Sequence, residues 1–393
     1  MKIRTVHPFP ARMAPEIALR SLEGLAPNSV VLDPMVGSGT VVRQALALGH
    51  RAIGFDMDPL AVLMSRVWTS PIDSDCVEAE LERLIDEATL VDLRTERLAW
   101  HDAETTAFIH YWFAGKQRRT LTRLAVVLAR RRASRLGEDR RAAVDALQVA
   151  LSRTIVTKEQ CASLARDTSH SRPHRVADDN DYDVLAGLRR STASLLDRLQ
   201  EHPLKRRAQV ALGDARKMSL RRGSVDYILT SPPYLNQIDY MRGHRLSLVW
   251  FGYSLTQLRA IRGGTIGAER AGNHGVRGIE KIARAMCKVD DLSTRHEYMV
   301  LRYAEDLESL LTEAARVLAS TGKAVFVVGN SCLKGEFIHN ANGVAQAARL
   351  AGLREVNRRD RELPNASRYL PVTRDGQLSK RMRTETVLTF AAA

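Results

Sequence analysis

The sequence predicts an α/β fold, a doubly wound and mostly parallel sheet interrupted by a helical insertion. Three observations carry that reading. A strand, a glycine turn, a helix and a second strand follow one another within about thirty residues near the start. Apolar, strand-like runs return after residue 208. Between about Cys76 and Arg207 the pattern is helical, with little sign of strand.

Taken in order, Ser29-Val30-Val31-Leu32 is a short apolar run of buried-strand type, closed by Asp33-Pro34 and glycines. From Thr40 the apolar residues Val41, Val42, Ala45, Leu46 and Leu48 fall at helical spacing, and Gly49 is placed to end the helix. Arg51 to Phe55 is the next strand, ending at Asp56. Strand, crossover helix and strand make one βαβ unit, which implies parallel pairing. In the insertion, Leu81, Leu84, Ile85 and Ala88 form one apolar stripe, and Leu121, Leu124, Ala125 and Leu128 form another. Arginines cluster there at 118–119, 130–132 and 140–141. Gln209 to Leu212 and Val225 to Leu229 read as further strands. The stretch from 235 to about 300 reads as irregular, with glycines at 263, 264, 267, 272, 275 and 278. A helix carrying Leu307, Leu310, Leu311, Ala314 and Leu318 stops before Gly322, and strands follow at Ala324–Val328 and Thr386–Phe390.

Composition narrows the function. Of 393 residues, 45% are hydrophobic, enough for a large core and too many for general disorder. No uninterrupted apolar run approaches a bilayer span, so no membrane association is expected. The first sixteen residues lack the apolar stretch of a secretory leader. Cys76, Cys161, Cys287 and Cys332 are far apart, which argues against a disulfide framework or zinc knuckle and fits a reduced, cytoplasmic setting. The 59 Lys and Arg against 45 Asp and Glu give a charge of +14, which favours a polyanionic partner, nucleic acid first. A basic surface kept for solubility gives the same count.

The chemistry concentrates in two segments. Asp33-Pro34-Met35-Val36-Gly37-Ser38-Gly39-Thr40 joins the first strand to the first helix. Its glycines allow a tight turn and close approach of a ligand to a helix N-terminus. Neither a phosphate-binding P-loop nor a complete G-x-G-x-x-G is present. A carboxylate at Asp33 repels pyrophosphate and suits a cationic ligand. About twenty positions on, after the second strand, Asp56 stands where a Rossmann-like unit carries its ribose carboxylate, and Asp58 competes for that role. Gly213-Asp214 follows the third strand, where a carboxylate suits an adenine amine, although Gly-Asp is also a common turn. The second segment is Thr230-Ser231-Pro232-Pro233-Tyr234, after the fourth strand. Two prolines donate no N–H and hold the chain extended, so their carbonyls are expected to point outward, unpaired. Such acceptors beside an aromatic face suit an exocyclic amine on a planar base.

The pairing of DPMVGSGT with TSPPY resembles the S-adenosylmethionine-dependent amino-methyltransferases of DNA, which modify cytosine N4 or adenine N6. The opening His7-Pro8-Phe9-Pro10-Ala11-Arg12-Met13-Ala14-Pro15 resembles the segment of such enzymes that lines the methionine end of the cofactor. The resemblance covers roughly 1–70, 208–250 and 300–393. It implies a class I methyltransferase sheet divided into a cofactor-binding part (1–75), a basic helical insertion (76–207) and a catalytic part (208–393). It implies that Phe9, Asp33, Pro34, Gly37, Gly39 and Thr40 line the amino-acid part of S-adenosylmethionine. Asp56 would then bind the ribose, Asp214 the adenine amine, and Ser231, Pro232, Pro233 and Tyr234 the target base. The SPPY form leans to cytosine N4, with adenine N6 second. DNA is the implied partner, double-stranded with base flipping or single-stranded, and a cognate restriction endonuclease is a further candidate.

Several side readings stay open at this level. Ser169 to Arg175 is a polar, basic loop, and its Arg172, His174 and Arg175 suit phosphate contacts or a place beside a displaced base. An exposed linker reads the same way. Cys161, His170 and His174 have no fourth ligand at a sensible spacing, so no metal is expected. Tyr111-Trp112-Phe113 is read as core rather than a stacking platform. Arg242, His244 and Arg245, just past SPPY, are candidates for contacts to the target strand. The insertion between Asp56 and Asp214 departs from the usual place of target recognition, so 76–207, 235–300 or both are candidate readers. The run Arg262 to Gly267 is a candidate loop that orders on substrate. An RNA amino-methyltransferase shares the glycine turn but usually carries an upstream capture domain, and a catalytic part that begins at residue 1 counts against that reading. A catalytically silent nucleic-acid-binding relative would be expected to show an eroded Asp33, glycines or SPPY, and all are intact.

Overall fold

The computed structural model describes residues 4–9, 13–167, 173–235, 239–268, 277–333, 335–362 and 384–392. Its strands are β1 (Val30–Asp33), β2 (Arg51–Asp56), β3 (Ala165–Arg166), β4 (His174–Arg175), β5 (Gln209–Leu212), β6 (Val225–Thr230), β7 (Leu318–Gly329), β8 (Ser331–Leu333), β9 (Glu336–Ile338), β10 (Leu353–Glu362) and β11 (Thr384–Ala392). Seven form one sheet in the order β10-β11-β7-β6-β1-β2-β5, while β3-β4 and β8-β9 are separate two-stranded hairpins. The neighbours β5, β2, β1, β6 and β7 run parallel, and β11 lies antiparallel between β7 and β10. This is the doubly wound, Rossmann-like sheet that the βαβ spacing predicts.

The helices are α1 (Pro15–Leu22), α2 (Thr40–Ala47), α3 (Pro59–Trp68), α4 (Ser74–Leu90), α5 (Ala103–Trp112), α6 (Gly115–Ala133), α7 (Glu138–Ile155), α8 (Val184–Gln200), α9 (Met241–Leu248), α10 (Leu255–Gly264), α11 (Arg277–Met286), α12 (Thr294–Val317) and α13 (Asn340–Leu350). They cover both faces of the sheet, and the strands' period of two sorts the side chains between them. Val31, Leu229, Val325 and Val327 pack with Ile17 and Leu22 of α1 and Val41 and Val42 of α2. Their neighbours Leu32, Ile228, Phe326 and Val328 face Leu307 and Leu311 of α12 and Val344 of α13. A third core joins Leu60, Met64 and Trp68 of α3 to Val149 and Ala150 of α7 and to Leu246 and Trp250 around α9. The insertion is therefore packed into the α3 face.

Chain order creates the crevice. From β1 the chain moves outward through β2 to β5, then returns to β6 on the other side of β1 and continues to β7. The winding reverses between β1 and β6, and ligands of open α/β sheets bind beyond the carboxyl ends of the strands at such a point. Asp33 ends β1 and Thr230 ends β6.

Two expectations need correction. The stretch 235–300 is not irregular: α9, α10 and α11 lie in it, and α12 already begins at Thr294. Its glycines misled the reading, since Gly263 and Gly264 form the last turn of α10 and Gly278 sits inside α11. Leu318 is not helical but opens β7, which runs past Gly322 as one long strand. Strand β10 carries no apolar alternation because it is the exposed, charged edge of the sheet, a common defence against edge-to-edge association. No helix among the described residues is long and apolar enough to cross a membrane.

Within the insertion's arginine clusters, Arg130, Arg131 and Arg140 are tied to acidic residues. Glu80 of α4, 1% exposed, accepts from Arg131 Nε at 2.6 Å, Arg140 Nη2 at 2.9 Å and Arg83 Nη1 at 3.0 Å. Arg131 also pairs with Glu87, Arg130 with Glu96, and Arg132 donates to the Phe251 carbonyl. Burial opposes the charge on Glu80, yet the two guanidinium groups of Arg131 and Arg140 hold its pKa below the usual carboxylate range. These arginines knit α4 to α6 and α7, so their number in the sequence overstates the charge free for a polyanion. Removing Glu80 takes the shared carboxylate from the mostly covered Arg131 and the half-exposed Arg140, and Glu80→Ala is expected to lose about 2 kcal/mol of stability in urea unfolding. A loss well under about 1 kcal/mol would mean that the arginines are already hydrated.

Candidate active site

The site assembles at the β1–β6 reversal. Asp33 is 4% exposed, and its Oδ1 accepts from Thr230 Oγ1 at 2.7 Å and from the Met35 amide at 3.2 Å. No described cation pairs with it. Burial, reinforced by the nearby charge of Asp56, pushes its pKa up to about 7, against the hydrogen bonds from Thr230 and Met35. Pro34 is buried behind it, and the chain then turns through Gly37 (φ 50°) and Gly39 (φ 94°) into α2. At Gly39 a Cβ would stand 2.7 Å from Ser65 Oγ and 3.2 Å from its Cα, so only glycine lets the turn sit against α3. At Gly37 a Cβ would meet the Phe9 ring at 3.2 Å, which puts Phe9 directly over the turn. The hydroxyls of Ser38 and Thr40 are buried at the start of α2 without a partner among the described residues.

Asp56, at the end of β2, braces the same turn. Its Oδ2 accepts from the Gly37 amide at 2.9 Å and its Oδ1 from the Asp58 amide at 2.9 Å. Burial and the adjacent Asp58 push its pKa up to about 6. Asp58 is engaged elsewhere. Its Oδ1 caps α3 through the Leu60 amide, and its Oδ2 pairs with His244 Nδ1 of α9 at 2.5 Å. Asp56, not Asp58, is thus the carboxylate that faces the turn. His244 is 5% exposed, so it is withdrawn as a contact to a target strand. Beside it, Phe9 stacks on Tyr240 at 5.0 Å between centroids with 17° between planes.

Asp214 is held differently. Arg216 donates to it from Nε and Nη2, at 2.9 and 2.7 Å, and its own amide donates to Oδ1 at 2.9 Å. Burial works to raise the Asp214 pKa, but these bonds and the Arg216 charge keep it below the usual range. Arg216 reaches further, to Asp306 Oδ1 of α12 and the Gly264 carbonyl, both at 2.5 Å. Asp306 in turn accepts from the Gly267 amide at 3.1 Å. The segment 264–267, a candidate ordering loop from sequence, is anchored to the Asp214 corner.

The SPPY segment leaves β6 beside Asp33. Ser231 Oγ lies 3.4 Å from Tyr234 OH, and Pro232 is buried. The Pro233 carbonyl is not free, contrary to expectation: the buried Tyr303 of α12 donates its hydroxyl to it at 2.9 Å. Gly267 sits against the same place, where a Cβ would be 3.6 Å from the Tyr234 carbonyl and 3.6 Å from the Tyr303 ring.

The polar candidates beyond the crevice divide. Arg242 is exposed and shares Asp239 Oδ2 with Arg262, at 3.0 and 2.7 Å. Arg245 is partly buried with its guanidinium 5.1 Å from the Phe108 ring centroid, so packing claims its charge. His174 is exposed on β4. Arg175 lies 4.9 Å over the Tyr111 ring and pairs with Asp178 at 3.0 Å. Arg172 lies outside the described residues. Trp112 and Phe113 are core, whereas Tyr111 is 52% exposed. Among the described residues no cluster is able to hold a metal ion. Sequence reasoning missed Arg216, Tyr303 and Asp306, whose roles arise only when α12 folds against the crevice. The one signal for Arg216 was its place two residues after Asp214.

No family model matches the chain. Over 92 residues, 22% of this chain, the sequence is 35% identical to Type II methyltransferase M.MvaI of Kocuria varians, a match spanning 20% of that relative's length. Among solved structures, a TehB-like S-adenosylmethionine-dependent methyltransferase from Corynebacterium glutamicum aligns over 97% of this chain and 89% of its own, at 9% identity and a TM-score of 0.32. A putative DNA modification methylase from Thermus thermophilus, complexed with S-adenosyl-L-methionine, aligns over 46% of this chain and 51% of its own, at 18% identity and a TM-score of 0.25. Overlays at those scores assign neither a function nor a residue role.

The buried, uncompensated Asp33 has a measurable signature. Its folded-state pKa of about 7 exceeds the unfolded 3.8, so the folded protein holds this proton more tightly. Stability conferred by the protonated form is therefore lost as pH rises from about 4 to about 7. Asp33→Asn keeps the Oδ1 acceptor and removes the charge. At pH 8 the variant should be more stable than the parent by about 2 kcal/mol or more in urea unfolding, with the gap closing near pH 4. A variant less stable at pH 8 would mean that the charge is compensated.

Proposed function

We propose that this protein is an S-adenosylmethionine-dependent methyltransferase that modifies an exocyclic amine in DNA, cytosine N4 in the first place. The observation that carries the reading is the Thr230–Asp33 hydrogen bond, which sets a glycine turn and an SPPY segment side by side at the sheet's reversal point. The local identity to a type II methyltransferase supports it independently.

The residues present fit the cofactor. A buried carboxylate without a cation at Asp33 suits an ammonium group, and the glycine turn leaves no side chain between α2 and the Phe9 ring. Asp33, Gly37, Gly39 and Phe9 hold the amino-acid end, with Pro34 and Thr40 shaping the turn. Asp56 accepts from the ribose hydroxyls, and Asp214, with Arg216 fixing its orientation, accepts from the adenine amine. When bound, the cofactor supplies a methyl group on a sulfonium, an electrophile that needs no covalent help from the protein. The chain contributes positioning and charge stabilisation. The Tyr234 ring stacks on the base. With the Pro233 carbonyl engaged by Tyr303, the Ser231 and Pro232 carbonyls accept the amine hydrogens and stabilise positive charge developing on nitrogen. Tyr303 contributes by fixing the backbone that carries them. The target base leaves its stack to enter, or is presented single-stranded. Exposed Arg242 and Arg262, at the mouth, and His174 suit phosphate contacts, and Arg172 and Arg175 extend that set less directly. The preference for cytosine rests on the SPPY form, and a cognate restriction endonuclease is the partner that such a site-specific enzyme suggests.

Nucleoside mass spectrometry tests the reading, after incubating the protein and S-adenosylmethionine with unmethylated DNA and, separately, with RNA. N4-methylcytosine in DNA is expected. Tyr234→Ala should bind the cofactor as the parent does while transferring methyl about 100-fold more slowly. N6-methyladenine would move the base and keep the pocket; product in RNA alone would overturn the substrate.

A further inference from the structure

The helical insertion is separate in sequence from the sheet's reversal point, yet it grips a segment that lies over the glycine turn. Residues 4–9 form a strap whose carbonyls are taken by arginines of the insertion. Arg198 of α8 donates from Nη1 to the Thr5 carbonyl at 2.8 Å, and Arg153 of α7 donates from Nη1 to the Val6 carbonyl at 3.2 Å. Arg153 also reaches Ser194 Oγ of α8 at 3.2 Å, and Arg4 pairs with Glu201 just past the end of α8. One residue on, His7 Nε2 hydrogen-bonds Ser152 Oγ of α7 at 3.0 Å, and Ser152 donates to Ser247 Oγ of α9 at 2.9 Å. The side chain of Val6 is 1% exposed in the core shared by α3 and α7. Phe9, at the end of this strap, stacks on Tyr240 and covers Gly37.

Packing alone does not account for these contacts. Arg153 and Arg198 are partly buried, are close enough to repel each other, and have no described carboxylate partner. Burial, then that repulsion, lowers the Arg153 pKa to about 10. A buried guanidinium without a counter-ion is costly, and what these two secure is a fixed path for the strap's backbone.

We propose that the insertion sets cofactor affinity: Arg153 and Arg198 are positioning residues that clamp residues 4–9 so that Phe9 closes the glycine turn. The insertion then acts on the cofactor side of the crevice, whatever its part in reading DNA. The proposal rests on the cofactor assignment above.

Calorimetric titration of the full chain with S-adenosylmethionine tests it, using Arg198→Met, Arg153→Met, Phe9→Ala and the Phe9→Ala/Arg198→Met pair. Each single variant should weaken binding about 5- to 20-fold. The double variant should bind no more weakly than Phe9→Ala alone, because the clamp acts only through Phe9. Hydrogen exchange over residues 4–9 should accelerate in both arginine variants, a readout that also serves if one of them loses stability. Arginine variants that bind like the parent while Phe9→Ala is weak would overturn the clamp, as would additive losses in the double variant. A parent that does not bind S-adenosylmethionine at all would sink the cofactor assignment instead, and the clamp with it.

Discussion

The Thr230 hydroxyl donates to Asp33 Oδ1 at 2.7 Å across the boundary between β6 and β1. Both residues are buried, and the bond is charge-assisted when Asp33 is ionised. Parallel pairing of Val31 with Tyr227 and of Leu32 with Ile228 fixes the register that brings the two strand ends together. The glycine turn and the SPPY segment are therefore tied together through a buried bond. A shift of either would break the bond and leave Asp33 with only the Met35 amide as a described donor.

Around that bond the carboxylates fall into two groups. Asp58 and Asp214 are paired, with His244 and Arg216, and serve to fix α9 and the segment at 264–267. Asp33 and Asp56 have no basic side chain bonded to them among the described residues, and burial drives both pKa values upward. The fold thus tolerates two buried carboxyl groups whose ionisation is unfavourable at the place where the cofactor is proposed to bind, the usual trade of stability for a prepared site.

The sheet was largely legible because buried parallel strands are short apolar runs and the crossover fixes their pairing. Val30–Asp33, Arg51–Asp56 and Val225–Thr230 announced themselves this way, and Gln209–Leu212 did so as a short apolar run although it is an exposed edge. Strand β10 did not, since an exposed edge needs charge rather than alternation. In the site, Asp33, Asp56 and SPPY were legible because each ends a strand, and position along a strand survives in sequence. Tyr303, Asp306 and Arg216 were not, because their meaning comes from α12 docking over the crevice some ninety residues away from Arg216. The net charge misled in part: Arg130, Arg131, Arg132 and Arg140 are engaged inside the insertion, and Arg153 and Arg198 in holding the strap. Only a structure separates such arginines from those at the crevice mouth.

Thr230 would touch neither cofactor nor base in its own right, yet it links the segments proposed to hold them. Thr230→Val preserves shape and β-propensity while deleting the bond to Asp33. The measurement is calorimetric binding of S-adenosylmethionine to this variant, paired with its single-turnover methyl transfer. Binding about tenfold weaker, together with a larger fall in transfer rate, is the predicted result, since the Asp33 carboxylate loses a stabilising donor and the two segments lose their link. Binding and transfer both equal to the parent would contradict the account.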